Sequence, residues 1–198
     1  MAILSAELLI SAYCQGVFPM ADNGEIQWFE PMMRGVIPLD DRFHVSKNLK
    51  KLVRQGKFEV KIDSAFEGVM RACAEREETW IDETIVESYL ELYQMGLAHS
   101  VECWDDGGLQ GGLYGVQIGR AFFGESMFSR KTGGSKVALV ALVEHLRGCG
   151  CELLDTQWMT EHLKKFGGYE LTREQYRVEL ARSLRDIHPF NEEEIDGI

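Results

Sequence analysis

An α+β fold is what this sequence predicts, and three observations carry that reading. Residues 98–129, AHSVECWDDGGLQGGLYGVQIGRAFFGESMFS, alternate in hydrophobicity over three short runs parted by turn chemistry, which describes an antiparallel meander. Helical periodicities precede this meander, and a helix that is apolar almost all round follows it at residues 135–147. Short strand-like runs then return, at 152–155 and 169–171. Helices and strands in this mixed order make one sheet with helical crossovers. A chain of 198 residues suffices for one sizeable domain with at most a small appendage.

Each element has a local reason. Ser5 is placed to cap a short helix ending near Gln15, with Leu8, Leu9 and Ala12 facing inward and Gly16 as its stop. Val17 to Met20 leads into a polar turn at Asp22-Asn23-Gly24 and a strand at Ile26–Phe29. Pro31 and Pro38 bracket a run, Arg34–Ile37, that crosses into the main sheet. Val45–Gln55 reads as a helix and Phe58–Ile62 as a strand. Ser64-Ala65-Phe66-Glu67 has the form of a capping box, opening a helix that buries Phe66, Val69, Met70 and Cys73. A second helix, Asp82–Met95, turns Ile85, Tyr89, Leu92 and Tyr93 inward and stops at Gly96.

The meander strands are His99–Trp104, Leu109–Ile118 and Ala121–Phe128. Glycines at 111, 112, 115 and 124 mark bulges or close approaches, and Glu125 is a carboxylate in an apolar strand that demands a partner. After the buried helix, the strand Glu152–Asp155 is followed at once by Thr156 and Gln157. Thr160–Phe166 is a brief helix, Tyr169–Leu171 a strand, and Thr172-Arg173-Glu174-Gln175 a capping box for the last helix. The acidic tail from Pro189 is expected to be loose.

Charge and composition exclude several classes. The formal net charge of −11 argues against broad nucleic-acid binding, DNA included. A local basic stretch remains in Arg42, Lys47, Lys50, Lys51, Arg54 and Lys57, either a phosphate-contacting patch or a solvated helix face. No apolar run reaches the roughly 20 residues a membrane span needs, and the first residues lack the features of a signal peptide. Five cysteines without a CxxC pair are expected to be free thiols in a reducing cytosol. His44, His99, His145 and His162 are too scattered for a metal site, so structural roles are expected.

Among chemical motifs, Arg130-Lys131-Thr132-Gly133-Gly134-Ser135 approaches the pyrophosphate loop of acetyl-CoA enzymes but ends in Ser, and no Walker A motif or GxSxG elbow occurs. The aromatics Tyr13, Trp28, Trp80 and Tyr89 suit stacking on a nucleic-acid 3′ end, and equally suit a core.

Taken together, AYCQGVFPM (12–20), WFEPMMRGVIPL (28–39), FHVSKNLKK (43–51), TWI (79–81), GLAHSVECW (96–104), GGLYGV (111–116), FFGESMFS (122–129), SKVAL (135–139) and LLDTQ (153–157) resemble the leucyl/phenylalanyl-tRNA protein transferases. The resemblance spans about residues 5–180. It departs from the family at Met20, where many members carry an aromatic residue, and at Thr156.

The resemblance implies an acetyltransferase-like (GNAT-like) catalytic domain, residues 34–198, behind a small N-terminal α/β subdomain, residues 1–33. It implies cytoplasmic transfer of Leu or Phe, and less well Met, from the 3′ end of Leu-tRNA or Phe-tRNA to proteins beginning with Arg or Lys. That transfer tags them for N-end rule degradation. It also implies no metal, and no cofactor beyond aminoacyl-tRNA as co-substrate.

By the same carry-over, Asp155 orients the attacking amine and accepts its proton, Gln157 binds the amine or polarises the ester, and Glu125 pairs with the acceptor's cationic side chain. Leu113, Phe122, Met127, Leu139 and Leu146 would line the pocket for the transferred side chain. Trp80, Tyr89 and Tyr13 would meet the terminal adenosine, and Arg42, Lys47, Lys50, Lys51 and Arg54 the acceptor-stem phosphates. Two other readings compete: a CoA-dependent N-acetyltransferase on the same fold, and a non-catalytic module for tRNA ends or degrons.

Overall fold

The computed structural model describes residues 4–185 and residue 190. Helix α1 (Ala6–Cys14) starts where Ser5 accepts a hydrogen bond from the Leu8 amide, and ends at Gly16, whose φ of 78° needs no Cβ. Leu8 is exposed and does not face inward as expected; Leu9, Ala12 and Tyr13 carry the buried face. Strands β1 (Phe18–Asp22) and β2 (Glu25–Phe29) form a separate two-stranded sheet through the Asn23-Gly24 turn. The expected reading missed β1 because Pro19 lies within it, on an edge strand where the missing N–H is tolerated.

The remaining elements are β3 (Met33–Ile37), α2 (Lys47–Arg54), β4 (Glu59–Ile62), α3 (Phe66–Ala74), α4 (Glu83–Gln94), β5 (Ala98–Asp105), β6 (Gly108–Ile118), β7 (Ala121–Ser129), α5 (Gly134–Gly148), β8 (Leu153–Gln157), α6 (Glu161–Lys164), β9 (Tyr169–Thr172) and α7 (Arg173–Ser183). Ser46, Asp82, Thr160 and Thr172 cap α2, α4, α6 and α7 from their own side chains. The capping box read at Ser64 does not form. Ala65 occupies the N-cap of α3, and Ser64 turns its hydroxyl to Glu102 on β5 at 2.7 Å. Glu102 also accepts from the Ser64 and Ala65 amides at 3.3 Å each, so a neighbouring strand supplies the cap. The acidic tail lies outside the described residues, except for Phe190, which is buried.

The main sheet has the order β4-β5-β6-β7-β8-β3-β9, antiparallel throughout except for β7 beside β8. Successive side chains alternate across it: Tyr114, Phe123 and Leu153 enter one cluster with α1, α3, α4 and α7, whereas Leu113, Phe122 and Leu154 pack against α5. Because α1 and Phe18 belong to the first cluster, the N-terminal unit shares its core with the main sheet.

Three irregularities shape the middle of this sheet. The parallel pairing of β7 with β8 runs only from Ala121↔Leu153 to Phe123↔Asp155, and beyond it the strands part. In the β6–β7 ladder Tyr114 faces Ser126 and Gly115 faces Gly124, so Glu125 is the unpaired residue of a β-bulge. In the β3–β8 ladder Gly35 faces Gln157 and Val36 faces Asp155, which leaves Thr156 as a second bulge residue. Both bulges stand on the two diverging strands.

Candidate active site

A cavity of about 370 Å³ opens where β7 and β8 part. Leu113, Met127, Leu139, Leu142, Leu154 and Leu163 give it apolar walls, and Met20, Trp80 and Trp158 also border it. Of the side-chain pocket residues expected from sequence, Leu113, Met127 and Leu139 line it. Phe122 and Leu146 do not: both are fully buried behind the wall, Phe122 stacked on Phe190 at 5.8 Å. Plain alternation along β7 would set Phe122 and Met127 on different faces; the bulge at Glu125 returns them to the same, α5-facing side, where Phe122 lies deeper than the cavity wall.

Glu125 stands on the cavity wall and is 8% exposed. Tyr13 donates to its Oε1 at 2.7 Å; Tyr89 and the Gln157 Nε2 donate to its Oε2 at 3.3 and 3.1 Å. The two tyrosine hydroxyls also bond to each other. Burial pushes the Glu125 carboxyl up to about 7, against the lowering effect of the Tyr13 and Gln157 hydrogen bonds, while the Asp155 charge adds to the rise. Tyr13 and Tyr89 are raised well above 10, first by burial and then by the Glu125 charge, so both remain donors.

This geometry corrects the expected adenosine contacts. Tyr13 and Tyr89 are wholly buried, with Tyr13 against Phe123 at 4.8 Å and Tyr89 edge-on to Tyr114 at 5.9 Å, so neither ring offers a face to a base. Trp80, half-buried, does border the cavity. Trp28 is not among the cavity residues, while Trp158, which sequence reading passed over, is 40% exposed at the cavity. Its indole stands edge-on to Phe18 at 5.0 Å and to Phe29 at 5.6 Å.

Asp155 is fully buried and fully engaged. Arg34 Nε and Nη2 reach it at 2.6–3.0 Å, Tyr176 donates at 2.8 Å and the Gln157 amide at 2.8 Å. Burial alone would lower the Arg34 pKa, but the charge and hydrogen bonds of Asp155 outweigh it and keep the guanidinium charged. Arg34 lies between the rings of Phe18 and Tyr176, 4.6 Å from each, and Nη1 donates to the Gly16 carbonyl at 2.8 Å. Asp155 therefore has no free position from which to take a substrate proton; it anchors Gln157 instead. Arg34 was missed although it gave the same signal as Glu125, a charge inside an apolar strand. Tyr176 gave none.

Gln157 has a φ of 64°, a left-handed conformation that a side chain rarely adopts. The turn it makes passes so close to β3 that a Cβ on Gly35 would meet the Met159 nitrogen at 2.8 Å and the Trp158 carbonyl carbon at 2.9 Å. Only glycine fits there.

Of the expected basic residues, Lys47, Lys50, Lys51 and Arg54 are exposed on α2 and make no ion pair among the described residues. Arg42 is different: Asp40 binds it at 2.8–3.0 Å and Tyr169 lies beneath it at 4.9 Å, so its charge is already neutralised. His99 bonds to Asp63 at 2.8 Å and His145 to the Phe190 carbonyl at 2.7 Å. His162 borders the cavity; burial lowers its pKa, and Lys136 and Lys165 lower it further. Among the described residues, no three His, Cys, Asp or Glu side chains are grouped to hold a metal.

Comparison with known proteins completes the description. Residues 36–181 match the family described as leucyl/phenylalanyl-tRNA protein transferase, and residues 2–32 match the N-terminal domain of that family. A leucyl/phenylalanyl-tRNA protein transferase of Akkermansia muciniphila is 57% identical over 188 residues, covering 92% of this chain and 97% of its own. One from Herpetosiphon aurantiacus is 52% identical over 182 residues, 92% of this chain and 95% of its own. Among solved structures, a GCN5-related N-acetyltransferase-like protein of Streptococcus suis is 17% identical, with a TM-score of 0.40 over 84% of this chain and 64% of that one.

Proposed function

Because the chain belongs to the leucyl/phenylalanyl-tRNA protein transferase family and is a transferase with an α+β fold, we propose that it moves Leu or Phe, and Met less well, from aminoacyl-tRNA to the α-amine of proteins beginning with Arg or Lys. The modified proteins would enter N-end rule degradation in the cytoplasm. The observation that carries this reading is one cavity with apolar walls of Leu113, Met127, Leu139 and Leu142 and a hydrogen-bonded carboxylate, Glu125, on the same wall. Leucine and phenylalanine side chains suit such a space better than β-branched ones, and the carboxylate suits a cationic first residue.

The reaction is aminolysis of an ester. The α-amine lone pair attacks the carbonyl carbon; the bond to the ribose oxygen then breaks, and that oxygen takes a proton as the nitrogen loses one. With an α-amino pKa of about 7.7–8.0, a useful fraction of the nucleophile is neutral near pH 7, so positioning outweighs strong base catalysis. Gln157 gives its Nε2 hydrogen to Glu125, which leaves its carboxamide oxygen to accept from the amine. Asp155 and Arg34 act as positioning residues: the carboxylate holds the Gln157 amide, and the guanidinium holds the carboxylate. The exposed cations of α2 would contact acceptor-stem phosphates, and Trp80 the terminal adenosine. Aminoacyl-tRNA is the co-substrate, with no cofactor besides. The small N-terminal subdomain, residues 1–33, would contribute Tyr13, Met20 and the Gly16 carbonyl to the site, and the catalytic domain, residues 34–198, would carry Glu125, Asp155 and Gln157. Among the described residues no helix is long and apolar enough to cross a membrane, and no membrane or DNA partner is part of this reading.

The test is transfer of labelled Leu or Phe from charged tRNA to a peptide beginning with Arg, beside the same peptide with an acetylated N-terminus and beside labelled acetyl-CoA. Label on the free-amine peptide alone, from tRNA alone, is the expected result. Label from acetyl-CoA would replace this reading with an N-acetyltransferase, and tRNA binding without transfer would replace it with a binding module.

A further inference from the structure

Two residues that line this cavity carry hydroxyl groups with no hydrogen-bond partner among the described residues. Tyr114 is wholly buried, its ring edge-on to Phe66 and to Tyr89 at 5.9 Å each, and its OH makes no hydrogen bond. The Thr156 Oγ1 atom is likewise buried and unpaired. Both residues line the cavity between β7 and β8. Buried polar atoms are seldom left this way, because an unpaired donor weakens the fold that carries it. Packing does not require either oxygen: Phe at 114 and Val at 156 would fill nearly the same space.

Their surroundings point to a ligand. Thr156 is the bulge residue of β8, a position that takes a side chain out of the strand's alternation and re-aims it. Tyr114 sits opposite the other bulge, paired with Ser126 beside Glu125. The neighbouring polar groups are already committed, Tyr13, Tyr89 and Gln157 to Glu125, and Arg34 and Tyr176 to Asp155. Burial, and then the Glu125 charge, raise the Tyr114 phenol well above 10, so it keeps its proton. What remains at this wall is a pair of neutral donors with nothing to donate to.

We propose that Tyr114 and Thr156 donate hydrogen bonds to the carbonyl oxygen of the bound aminoacyl ester, the atom that becomes negative when the amine attacks. The inference rests on the aminoacyl-transfer reading. As the nitrogen lone pair forms the C–N bond, the carbonyl π pair moves to oxygen, where the two hydroxyls meet it. On collapse the carbonyl re-forms, the bond to the ribose oxygen breaks with its electron pair, and that oxygen takes the proton the nitrogen gives up. Donors fixed before the reaction stabilise such a charge without reorganising.

Tyr114→Phe, Thr156→Val and the double variant test this, in transfer of Phe from Phe-tRNA to an Arg-initiated peptide together with thermal unfolding of the free protein. Each single variant should lower kcat about 100-fold with KM for both substrates unchanged within twofold. Each should melt at or above the wild-type temperature, because an unpaired buried group has been removed. A double variant as fast as wild type would overturn the proposal, as would variants that melt lower in proportion to their loss of rate, or a rise in KM with kcat intact. Wild-type protein that transfers no amino acid would instead overturn the aminoacyl-transfer reading and take this proposal with it.

Discussion

Two acids lie within one hydrogen-bonded network, and their environments set them to different tasks. Asp155 is neutralised by Arg34, whereas Glu125 is met only by neutral donors. The folded Glu125 carboxyl is raised from 4.5 to about 7, so between those values the native protein holds a proton that the unfolded chain has released. Its contribution is fully present below about pH 4.5 and is lost as pH rises through 7, a change on the order of 3 kcal/mol. Glu125→Gln should therefore flatten the fall in melting temperature between pH 5 and 8, and it should raise KM selectively for Arg- and Lys-initiated acceptors. An unchanged acceptor KM would remove Glu125 from recognition. Asp155 is held by an opposite charge instead. Its loss leaves the Arg34 guanidinium buried without a partner, which costs about 3–5 kcal/mol, so Asp155→Ala should melt markedly lower as well as lose transfer.

At the level of elements, the site depends on two strands being irregular in the right places. Gly35→Ala drives a methyl into the backbone at residues 158 and 159, so the left-handed Gln157 must move. Transfer should fall at least tenfold while KM for the tRNA changes little, since α2 lies elsewhere; an alanine variant of full activity would show the turn to be unnecessary. On α2, Lys50→Glu with Lys51→Glu should weaken tRNA binding and reduce the slope of log affinity against log salt by about 1–2. Titration at several salt concentrations reads both. Most of these elements were legible, because periodicity and capping residues act within a few positions: the α7 capping box and the α4 cap stand where the sequence puts them. The α3 cap was not, because its acceptor, Glu102, is 38 residues from Ser64. The bulge of β7 was hinted at by glycines 115 and 124, whereas nothing pointed to the one on β8, and the register of both is a property of two strands together.

Across the whole molecule, the legible part of the site was its chemistry and the illegible part its neighbours. Glu125 announced itself as a charge in an apolar strand. Asp155 and Gln157 came only through family resemblance. Tyr89 was given two incompatible roles, helix core and base platform, and burial selects the first. No spacing discloses that Arg34 meets Asp155 over 121 residues, or that Tyr13 meets Glu125 over 112. This dispersal has a consequence for the protein's own synthesis. The carboxylate of Asp155 is completed by β3 from early in the chain and by Tyr176 from near its described end. A nascent chain still short of residue 176 holds every acid and amide of the site but lacks the group that closes it. Competence is thus withheld until residue 176 has been made and has folded back onto the sheet, so a chain truncated before it should transfer no amino acid.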